Sequence, residues 1–404
     1  MKVFFIGLGQ AGCKITDLFI ADDLSTKEER IFKAVAVNSA RPDLLGLRYI
    51  PQKDRVLIGE NVVRGHGVGA NNKLGAKIAQ ADIDKILSAI DLQGTSDADV
   101  FVIVTAFGGG TGSGSAPVVA KHLKRLYNEP VYAIGVLPAE AEGNVYVLNS
   151  ARSMKTLAKY VDAMILVDNG AFLRPGESLQ SAYQWINSEI VKRFSILARA
   201  GEVGAGGTVG EMVVDASEIA QTINGMEVCT IGYASEELPR GSAIKNAILG
   251  GDKPDQRKSA RILSLVTRAA KTRLLLPCDF RLVRKALVVV AGPPDELSRD
   301  GTERSREWLE KNIAGAEVRG GDYPVKNSRY IATAVLLGGI SGVHKIDSMF
   351  ERARQMQEAI AAGLTKEETK KAEKTAQLMQ FIEDLESEDV NTEELEDLLK
   401  DLEV

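Results

Sequence analysis

The first 170 residues alternate between short apolar runs and longer segments in which apolar residues recur every three or four positions. The short runs predict strands and the longer segments predict helices. The predicted strands cover residues 2–6, 32–37, 55–58, 100–105, 131–137 and 164–167, and the predicted helices cover residues 11–20, 72–90 and 115–127. Nearly continuous apolar strands that alternate with helices are typical of an α/β fold, in which helices cover both faces of a parallel sheet.

The pattern changes after residue 177. Residues 177–200 form a helical segment without glycine or proline, and residues 201–210 contain five glycines, which predicts a loop. Further predicted helices cover residues 216–223, 259–270, 303–312 and 345–362, and further predicted strands cover residues 228–233, 286–290 and 330–337. Because strands and helices alternate less strictly here, we expect a smaller α+β domain after the long helical segment.

The C-terminal segment is strongly acidic. Residues 366–404 hold fourteen Asp and Glu against five Lys, a net −9, so the rest of the chain carries +4 of the total −5. Leu395, Leu398, Leu399 and Leu402 form a helical stripe, and Asn391 with Glu394 matches a capping box. Two interpretations stay open for this tail: a solvated helix, or an amphipathic helix that docks on a protein partner or a neighbouring subunit.

Composition excludes several classes of protein. Apolar residues make up 45% and charged residues 26%, as in globular proteins. No apolar run reaches the roughly 18 residues of a membrane span, and no signal peptide is recognisable. The three cysteines are scattered, the three histidines lack metal-ligand spacing, and no basic run carries interleaved aromatic residues. We therefore expect a cytoplasmic protein without a residue-built metal site, a nucleic-acid partner or membrane insertion.

The first glycine-rich turn, from Gly7 to Gly12, matches G-x-G-x-x-G between a predicted strand and a predicted helix. Such a turn suits a phosphate because its backbone N–H groups converge at a helix N-terminus. A dinucleotide site would also need an acidic residue at the end of the second strand, where this chain has Asn38. The pattern therefore favours phosphate binding but argues against a dinucleotide-dependent oxidoreductase.

The second glycine-rich turn, Gly108 to Gly114, has five glycines in seven residues after a buried strand. It allows successive N–H groups to surround one anion. It is not a Walker loop, since no lysine follows the glycines. Because the carboxyl ends of parallel strands meet at one edge, the two turns together predict a polyphosphate site.

The run from Phe107 to Pro117 resembles the signature of the tubulin/FtsZ family. Other segments resemble the family in the same order: residues 9–13, 65–71, 138–143, 167–169, Tyr183 with Asn187, and residues 214–218. The resemblance covers residues 1 to about 360 without the tail, and is strongest to the archaeal CetZ group. It implies a tubulin/FtsZ-like fold with a GTP-binding domain (1–183), a central helix (184–201), an α+β activation domain (202–362) and the acidic helical tail (363–404).

The resemblance also implies roles for single residues in binding GTP or GDP. The implied phosphate contacts are Gln10, Ala11, Gly12, Cys13, Lys14, Asn38, Gly69, Ala70, Asn71, Gly109, Gly110, Thr111, Gly112 and Ser113. Glu142 would hold the ribose, Asn169 and Asn187 would recognise guanine, and Tyr183 would stack on the base. Tyr183 and Asn187 are four residues apart and so share one helix face. Tyr146 stands where FtsZ proteins commonly have an arginine.

Asp215 and Glu218 are the predicted catalytic acids, by resemblance to the loop that carries them in the family. Their task would be to orient the attacking water, with Mg²⁺ offsetting phosphate charge. The same spacing is a capping box at the start of a helix, and the two interpretations are compatible.

The distance along the central helix bears on where those acids act. Thirteen residues separate Asn187 from the end of the predicted helix, roughly 20 Å at 1.5 Å per residue. The acids would therefore act on the nucleotide of a neighbour stacked head to tail, in a contact that builds a filament. Together with this geometry, the resemblance implies a filament-forming cytoskeletal GTPase with a role in cell shape or division. The alternative is a structural nucleotide-binding subunit with negligible hydrolysis.

Overall fold

The computed structural model divides the chain into two compact units, Met1–Met349 and Phe350–Val404. It describes residues 1–26, 29–173, 176, 178–201, 212, 214–238, 254–315 and 317–363. In the second unit, residues 350–363 are helical. The predicted loop at residues 201–210 falls almost entirely outside the described residues, and the predicted tail helix lies wholly outside them.

One ten-stranded sheet runs through the first unit. Its strands are β1 (Val3–Leu8), β2 (Phe32–Asn38), β3 (Arg55–Leu57), β4 (Val100–Ala106), β5 (Val131–Leu137), β6 (Ala163–Asp168), β7 (Met226–Glu237), β8 (Lys285–Gly292), β9 (Glu317–Pro324) and β10 (Tyr330–Gly338). Their order across the sheet is β3-β2-β1-β4-β5-β6-β7-β10-β8-β9. The first six strands are mutually parallel, which confirms the predicted parallel sheet.

The second half of the sheet is mixed. Strand β7 joins the parallel half through an irregular pairing with β6, and β10 runs antiparallel to both β7 and β8. Strand β9 then pairs parallel with β8 at the edge. The loss of strict parallel order explains the weaker alternation of the sequence in this half.

The described helices include α1 (Gly9–Ser25), α2 (Arg41–Leu45), α3 (Glu60–Val63), α4 (Asn72–Ala81), α5 (Ile83–Gln93), α6 (Thr111–Leu126), α7 (Asn144–Leu157), α8 (Leu179–Arg199), α9 (Ala216–Ile223), α10 (Pro254–Thr272), α11 (Arg299–Glu310) and α12 (residues 344–363). Helix α8 is the predicted long central helix. No helix among the described residues is both long enough and apolar enough to cross a bilayer.

Several elements differ from the sequence prediction. The predicted helix 72–90 is two helices, because Asp82 leaves the helical path and its carboxylate accepts the Gly59 N–H at 2.6 Å. Helix α6 begins at Thr111 rather than at residue 115, so the second glycine-rich turn is partly helical. Helix α7 and the charged, glycine-containing strand β9 were not predicted.

An aromatic cluster fixes α8 against the parallel half of the sheet. Phe5 of β1 stacks on Phe19 of α1 with ring centres 4.2 Å apart, and Phe194 of α8 packs edge-on against both rings. Near the end of α8, Arg199 forms a buried ion pair of 2.6 Å with Asp23 of α1. These contacts hold α8 in place and so define where its two ends lie.

Candidate functional site

The two glycine-rich turns meet at the carboxyl ends of β1 and β4, which are neighbouring strands. Gly9 has a φ of +70°, and a Cβ at this position would lie 2.7 Å from the backbone nitrogen of Gly112. Only glycine permits this conformation and this approach without displacing backbone. The predicted convergence of the two turns is therefore a backbone contact between the starts of α1 and α6.

Two adjoining cavities open above these turns. The first, of about 370 Å³, is here called the glycine cavity, and the second, of about 210 Å³, the tyrosine cavity. They share four lining residues, Gln10, Ala11, Ala106 and Gly109. The two cavities thus form one elongated cleft with chemically different ends.

The glycine cavity is lined largely by backbone. The segment between α3 and α4 contributes Gly69 and Ala70, whose φ angles are +54° and +61°. A positive φ is unusual for alanine and marks a backbone held in place by its surroundings. Gly110 and Thr111 contribute the start of α6, and the Thr111 hydroxyl lies 2.6 Å from the Ser39 hydroxyl. Backbone N–H groups at a helix start and in such loops suit an anion.

Asn149 connects the two loops of the glycine cavity, a role that no motif or spacing in the sequence predicts. This residue of α7 is buried, with 3% of its surface exposed. The amide Nδ2 donates to the carbonyl oxygens of Ala70 at 2.7 Å and Gly108 at 3.0 Å. One side chain therefore holds two loops that are distant in the sequence.

Asp43 is a second residue that sequence reasoning missed. Its carboxylate accepts hydrogen bonds from the amide groups of Gln10 and Asn38, both at 2.9 Å. All three residues line the glycine cavity. A carboxylate beside a predicted phosphate site is unfavourable for a bare anion, but it is the type of oxygen ligand that Mg²⁺ prefers.

The tyrosine cavity has an apolar floor and polar side chains at its rim. Its lining includes Val136, Leu137, Pro138, Glu142, Tyr146, Asn169, Tyr183 and Asn187, together with Lys14. Tyr183 is 37% exposed. Partial burial and the charge of Glu142 raise the pKa of its hydroxyl, whereas a hydrogen bond with Asn169 lowers this pKa. An exposed aromatic ring beside amide side chains is suited to stacking on and recognising a flat polar base.

The structure brings most of the predicted binding residues into this cleft. Those that line it are Gln10, Ala11, Lys14, Asn38, Gly69, Ala70, Gly109, Gly110, Thr111, Gly112, Glu142, Asn169, Tyr183 and Asn187.

Four predicted binding residues, Gly12, Cys13, Asn71 and Ser113, do not line either cavity. Gly12 packs against β4, where a Cβ would lie 2.1 Å from a backbone oxygen. The buried Cys13 thiol donates to the carbonyl of Gly7, burial raises its pKa, and it is therefore unsuited to be a nucleophile. Asn71 caps α4, and Ser113 donates to the Gly109 carbonyl.

The two predicted catalytic acids lie at the start of α9, outside both cavities. Asp215 is the N-cap of this helix and accepts the Glu218 backbone N–H at 3.0 Å. The Ser217 hydroxyl and this N–H lower the pKa of Asp215. Burial and the charge of Asp215 raise the pKa of Glu218, although Arg319, at 3.8 Å, opposes the rise.

The helix cap is the role of Asp215 that the structure shows, and catalysis by the two acids stays a prediction. The cap bond fixes Asp215, and one oxygen of Glu218 is buried without a hydrogen-bond partner among the described residues. A carboxylate with a raised pKa can accept a proton from water when a partner molecule brings a substrate to its exposed oxygen.

Among the described residues, no group of three or more His, Cys, Asp or Glu side chains is placed to hold a metal ion by itself. A divalent cation in the cleft would therefore need ligands from a bound phosphate in addition to protein oxygens.

Two family models together match nearly the whole described chain. Residues 2–175 match the model of the "Tubulin/FtsZ family, GTPase domain", and residues 176–355 match that of the "Tubulin-like CetZ, C-terminal domain". The first match contains the cleft except for Tyr183 and Asn187, and the second contains these two residues and both acids.

Individual proteins and solved structures agree with the family models. The chain is 48% identical to the tubulin-like protein CetZ1 of Haloferax volcanii over 369 residues, which is 89% of this chain and 93% of that protein. The structure of CetZ1 as a GDP-bound monomer matches with a TM-score of 0.79 and 46% identity, over 88% of this chain and 100% of that one. A GTPγS-bound protofilament of CetZ2 from the same organism matches with a TM-score of 0.79 and 39% identity, over 89% of this chain and 100% of that one.

Proposed function

Because the chain belongs to the tubulin-like CetZ group of the tubulin/FtsZ family of cytoskeletal GTPases, we propose that it hydrolyses GTP between subunits stacked head to tail in a filament. The observation that carries the proposal is the separation of two sites along one helix. Asn187, in the cleft, and Arg199, at the far end of α8, are twelve residues apart, or about 18 Å. Asp215 and Glu218 follow beyond that end.

The cleft fits a guanine nucleotide along its length. The glycine cavity would hold the phosphates through backbone N–H groups, and Lys14, which lines the adjoining tyrosine cavity, would add a positive charge. In the tyrosine cavity, Tyr183 would stack on the base, Asn169 and Asn187 would hydrogen-bond its edge, and Glu142 would accept from the ribose. A relative bound to GDP and another bound to GTPγS support this assignment.

The residues present also fit a magnesium ion beside the phosphates. Asp43 presents a carboxylate to the glycine cavity, and the carboxamides of Gln10 and Asn38 adjoin it. Bound magnesium would neutralise part of the phosphate charge. Asp43 would hold the two amide side chains in position whether or not the ion is bound.

Hydrolysis would be completed by the acids of the neighbouring subunit. In a head-to-tail stack, the α9 end of one subunit faces the cleft of the next, which is a heterologous contact that propagates into a filament. Asp215 and Glu218 would orient the attacking water and accept its proton. The protofilament formed by a relative supports such an assembly.

A structural subunit that binds nucleotide without turning it over is the second candidate. One observation favours it: Asp215 is engaged in a helix cap and Glu218 lies near Arg319 within the same chain. Such a protein would polymerise with GTP but would release no phosphate.

We place the protein in the cytoplasm as a homopolymer that acts in cell shape or division. Its acidic tail would contact a protein partner, because its negative charge disfavours nucleic acid and anionic membranes.

Phosphate release from GTP and ATP, measured with Mg²⁺ across a range of protein concentrations, tests the proposal. Hydrolysis between subunits predicts GTP-selective turnover whose specific activity rises with concentration. A specific activity that is independent of concentration would refute catalysis between subunits. GTP binding without phosphate release would favour the structural subunit.

A further inference from the structure

A third cavity, of about 520 Å³, lies on α8, β7 and the end of α10. It shares no lining residue with the glycine or tyrosine cavity and is here called the basic cavity. Helix α8 separates the two sites: Tyr183 and Asn187 line the tyrosine cavity, whereas Trp185 and Glu189 line the basic cavity. A two-residue offset turns a side chain about 200° around a helix, so these pairs lie on opposite faces.

The charges around the basic cavity are unbalanced. Among the described residues, four cations line it, namely Lys192, Arg193, Arg268 and Arg273, against a single carboxylate, Glu189. Glu189 is already engaged, since its Oε2 lies 2.5 Å from Arg193. Lys192, Arg268 and Arg273 form no salt bridge with any carboxylate of the described residues. The cavity therefore has an excess of positive charge that an anion would neutralise.

Arg193 is the buried member of this set, with 2% of its side chain exposed. One terminal nitrogen donates to the carbonyl and carboxylate oxygens of Glu189, and the other donates to the Arg273 carbonyl at 3.4 Å. Its Nε has no hydrogen-bond partner among the described residues. Burial lowers the pKa of this guanidinium. A buried donor without an acceptor is costly, so an acceptor supplied by a ligand would be stabilising.

Aromatic rings form the other part of the wall. Phe172 and Trp185 contact each other edge to face, with ring centres 5.5 Å apart. Tyr233 lies nearby, and the Lys192 ammonium sits 4.3 Å from the centre of its ring. The cavity thus combines flat apolar surfaces with cations, and neither feature is explained by the nucleotide cleft.

We propose that the basic cavity binds a small aromatic anion, a molecule with a flat ring system and a carboxylate, sulfonate or phosphate group. The anionic group would accept hydrogen bonds from Arg193, Arg268 and Arg273. The ring would pack against Trp185 and Tyr233. The volume lies in the range of about 300–1,000 Å³ typical of small-molecule sites.

The test is a binding titration on the full chain saturated with GDP, so that the nucleotide cleft is filled. The probe is 8-anilino-1-naphthalenesulfonate, whose fluorescence reports binding, and N-phenyl-1-naphthylamine serves as the matched uncharged ring system. We expect saturable binding of one sulfonate probe per chain and binding of the uncharged analogue that is about tenfold weaker or more. Inorganic pyrophosphate alone is expected not to displace the probe at equal concentration.

Arginine variants locate the site. Arg268→Ala with Arg273→Ala removes two exposed cations and leaves the buried Arg193–Glu189 pair in place, so folding should be preserved. This double variant should bind the sulfonate probe about tenfold more weakly or worse, with unchanged GDP affinity. Arg281→Ala with Arg304→Ala, two exposed arginines outside the cavity, is the control and should bind normally. Equal probe affinity in the two double variants, no saturable binding, or displacement by pyrophosphate would overturn the proposal.

Discussion

The amide of Asn149 donates a 2.7 Å hydrogen bond to the backbone carbonyl of Ala70, a residue held at a φ of +61°. The same amide also holds Gly108, so one buried side chain joins the loop before α4 to the loop before α6. Both loops line the cavity assigned to the phosphates. The shape of that cavity therefore depends on a residue that need not contact the nucleotide.

Replacing Asn149 by Ala should weaken GDP binding about tenfold and lower the free energy of unfolding by about 1–3 kcal/mol, because two buried carbonyl groups lose their donor. Isothermal titration calorimetry and urea denaturation measure the two effects. Asn312→Ala is the control, since Asn312 also donates to one backbone carbonyl, that of Trp308, but lies outside the cleft. GDP affinity that fell equally in both variants would contradict a specific role for Asn149.

Tyr183 should contribute to nucleotide affinity through its ring rather than its hydroxyl. Tyr183→Ala should weaken GTP binding about tenfold or more, in line with the roughly 1–3 kcal/mol of base stacking, whereas Tyr183→Phe should retain most of the affinity. Fluorescence titration with a labelled GTP analogue distinguishes the two. Tyr330→Ala, which removes an exposed tyrosine of β10, is the control. Equal losses in the Ala and Phe variants would show that stacking is not the contribution.

Asp43 should govern the magnesium requirement. Asp43→Asn should raise the Mg²⁺ concentration for half-maximal GTP hydrolysis about tenfold, because a carboxylate is lost from the phosphate side of the cleft. In EDTA the same variant should bind GTP at least as tightly as the unmodified protein, since a negative charge near the phosphates is gone.

The matched control for Asp43 is Glu60→Gln, which removes an exposed carboxylate paired with Arg41 outside the cleft. It should leave the magnesium dependence unchanged. Weaker GTP binding by Asp43→Asn in EDTA would instead indicate that Asp43 acts only by positioning Gln10 and Asn38.

The acid side of the pH–rate profile should report on Glu218. Its carboxyl has a raised pKa because of burial and the charge of Asp215, and it must be ionised to accept a proton from water. GTP hydrolysis should therefore fall as the pH drops through this raised pKa. Asp215→Asn removes the neighbouring negative charge, so its residual activity should have an acid limb at lower pH. Arg319→Gln removes a positive charge, so its acid limb should lie at higher pH.

The pH dependence of GDP binding is the control for this profile. Measuring GDP affinity over the same pH range shows whether the acid limb reflects binding rather than turnover. An acid limb that stays in place in both Asp215→Asn and Arg319→Gln would show that Glu218 is not the titrating group.

The two glycine-rich turns could be predicted from the sequence, because the close contact between their backbones leaves no room for a side chain. Gly9 faces the backbone of Gly112 at a distance that a side chain would obstruct, so the requirement appears directly as a motif. The parallel strands were readable for a similar reason, since burial on both faces demands nearly continuous apolar residues. The central helix followed from 24 residues, 177–200, without glycine or proline.

The roles of Asn149 and Asp43 could not be predicted from the sequence, because these roles arise from tertiary contacts. Nothing local marks an asparagine on α7 as the donor to Ala70, which lies 79 positions earlier in the chain. Asp43 likewise bonds to Gln10 across 33 positions. The break at Asp82 was missed because a helical apolar pattern continues through it, while its cause is a hydrogen bond to Gly59.

Catalysis between subunits is tested most directly by mixing two inactive variants. Asp215→Ala with Glu218→Ala leaves the cleft intact but removes the acids, and Tyr183→Ala with Asn187→Ala leaves the acids intact but removes the base contacts. Phosphate release is measured for each variant alone and for an equimolar mixture, with sedimentation to verify that both enter the filaments. Hydrolysis between subunits predicts that the mixture regains activity well above the sum of the two variants. A co-sedimenting mixture with no more activity than that sum would contradict it.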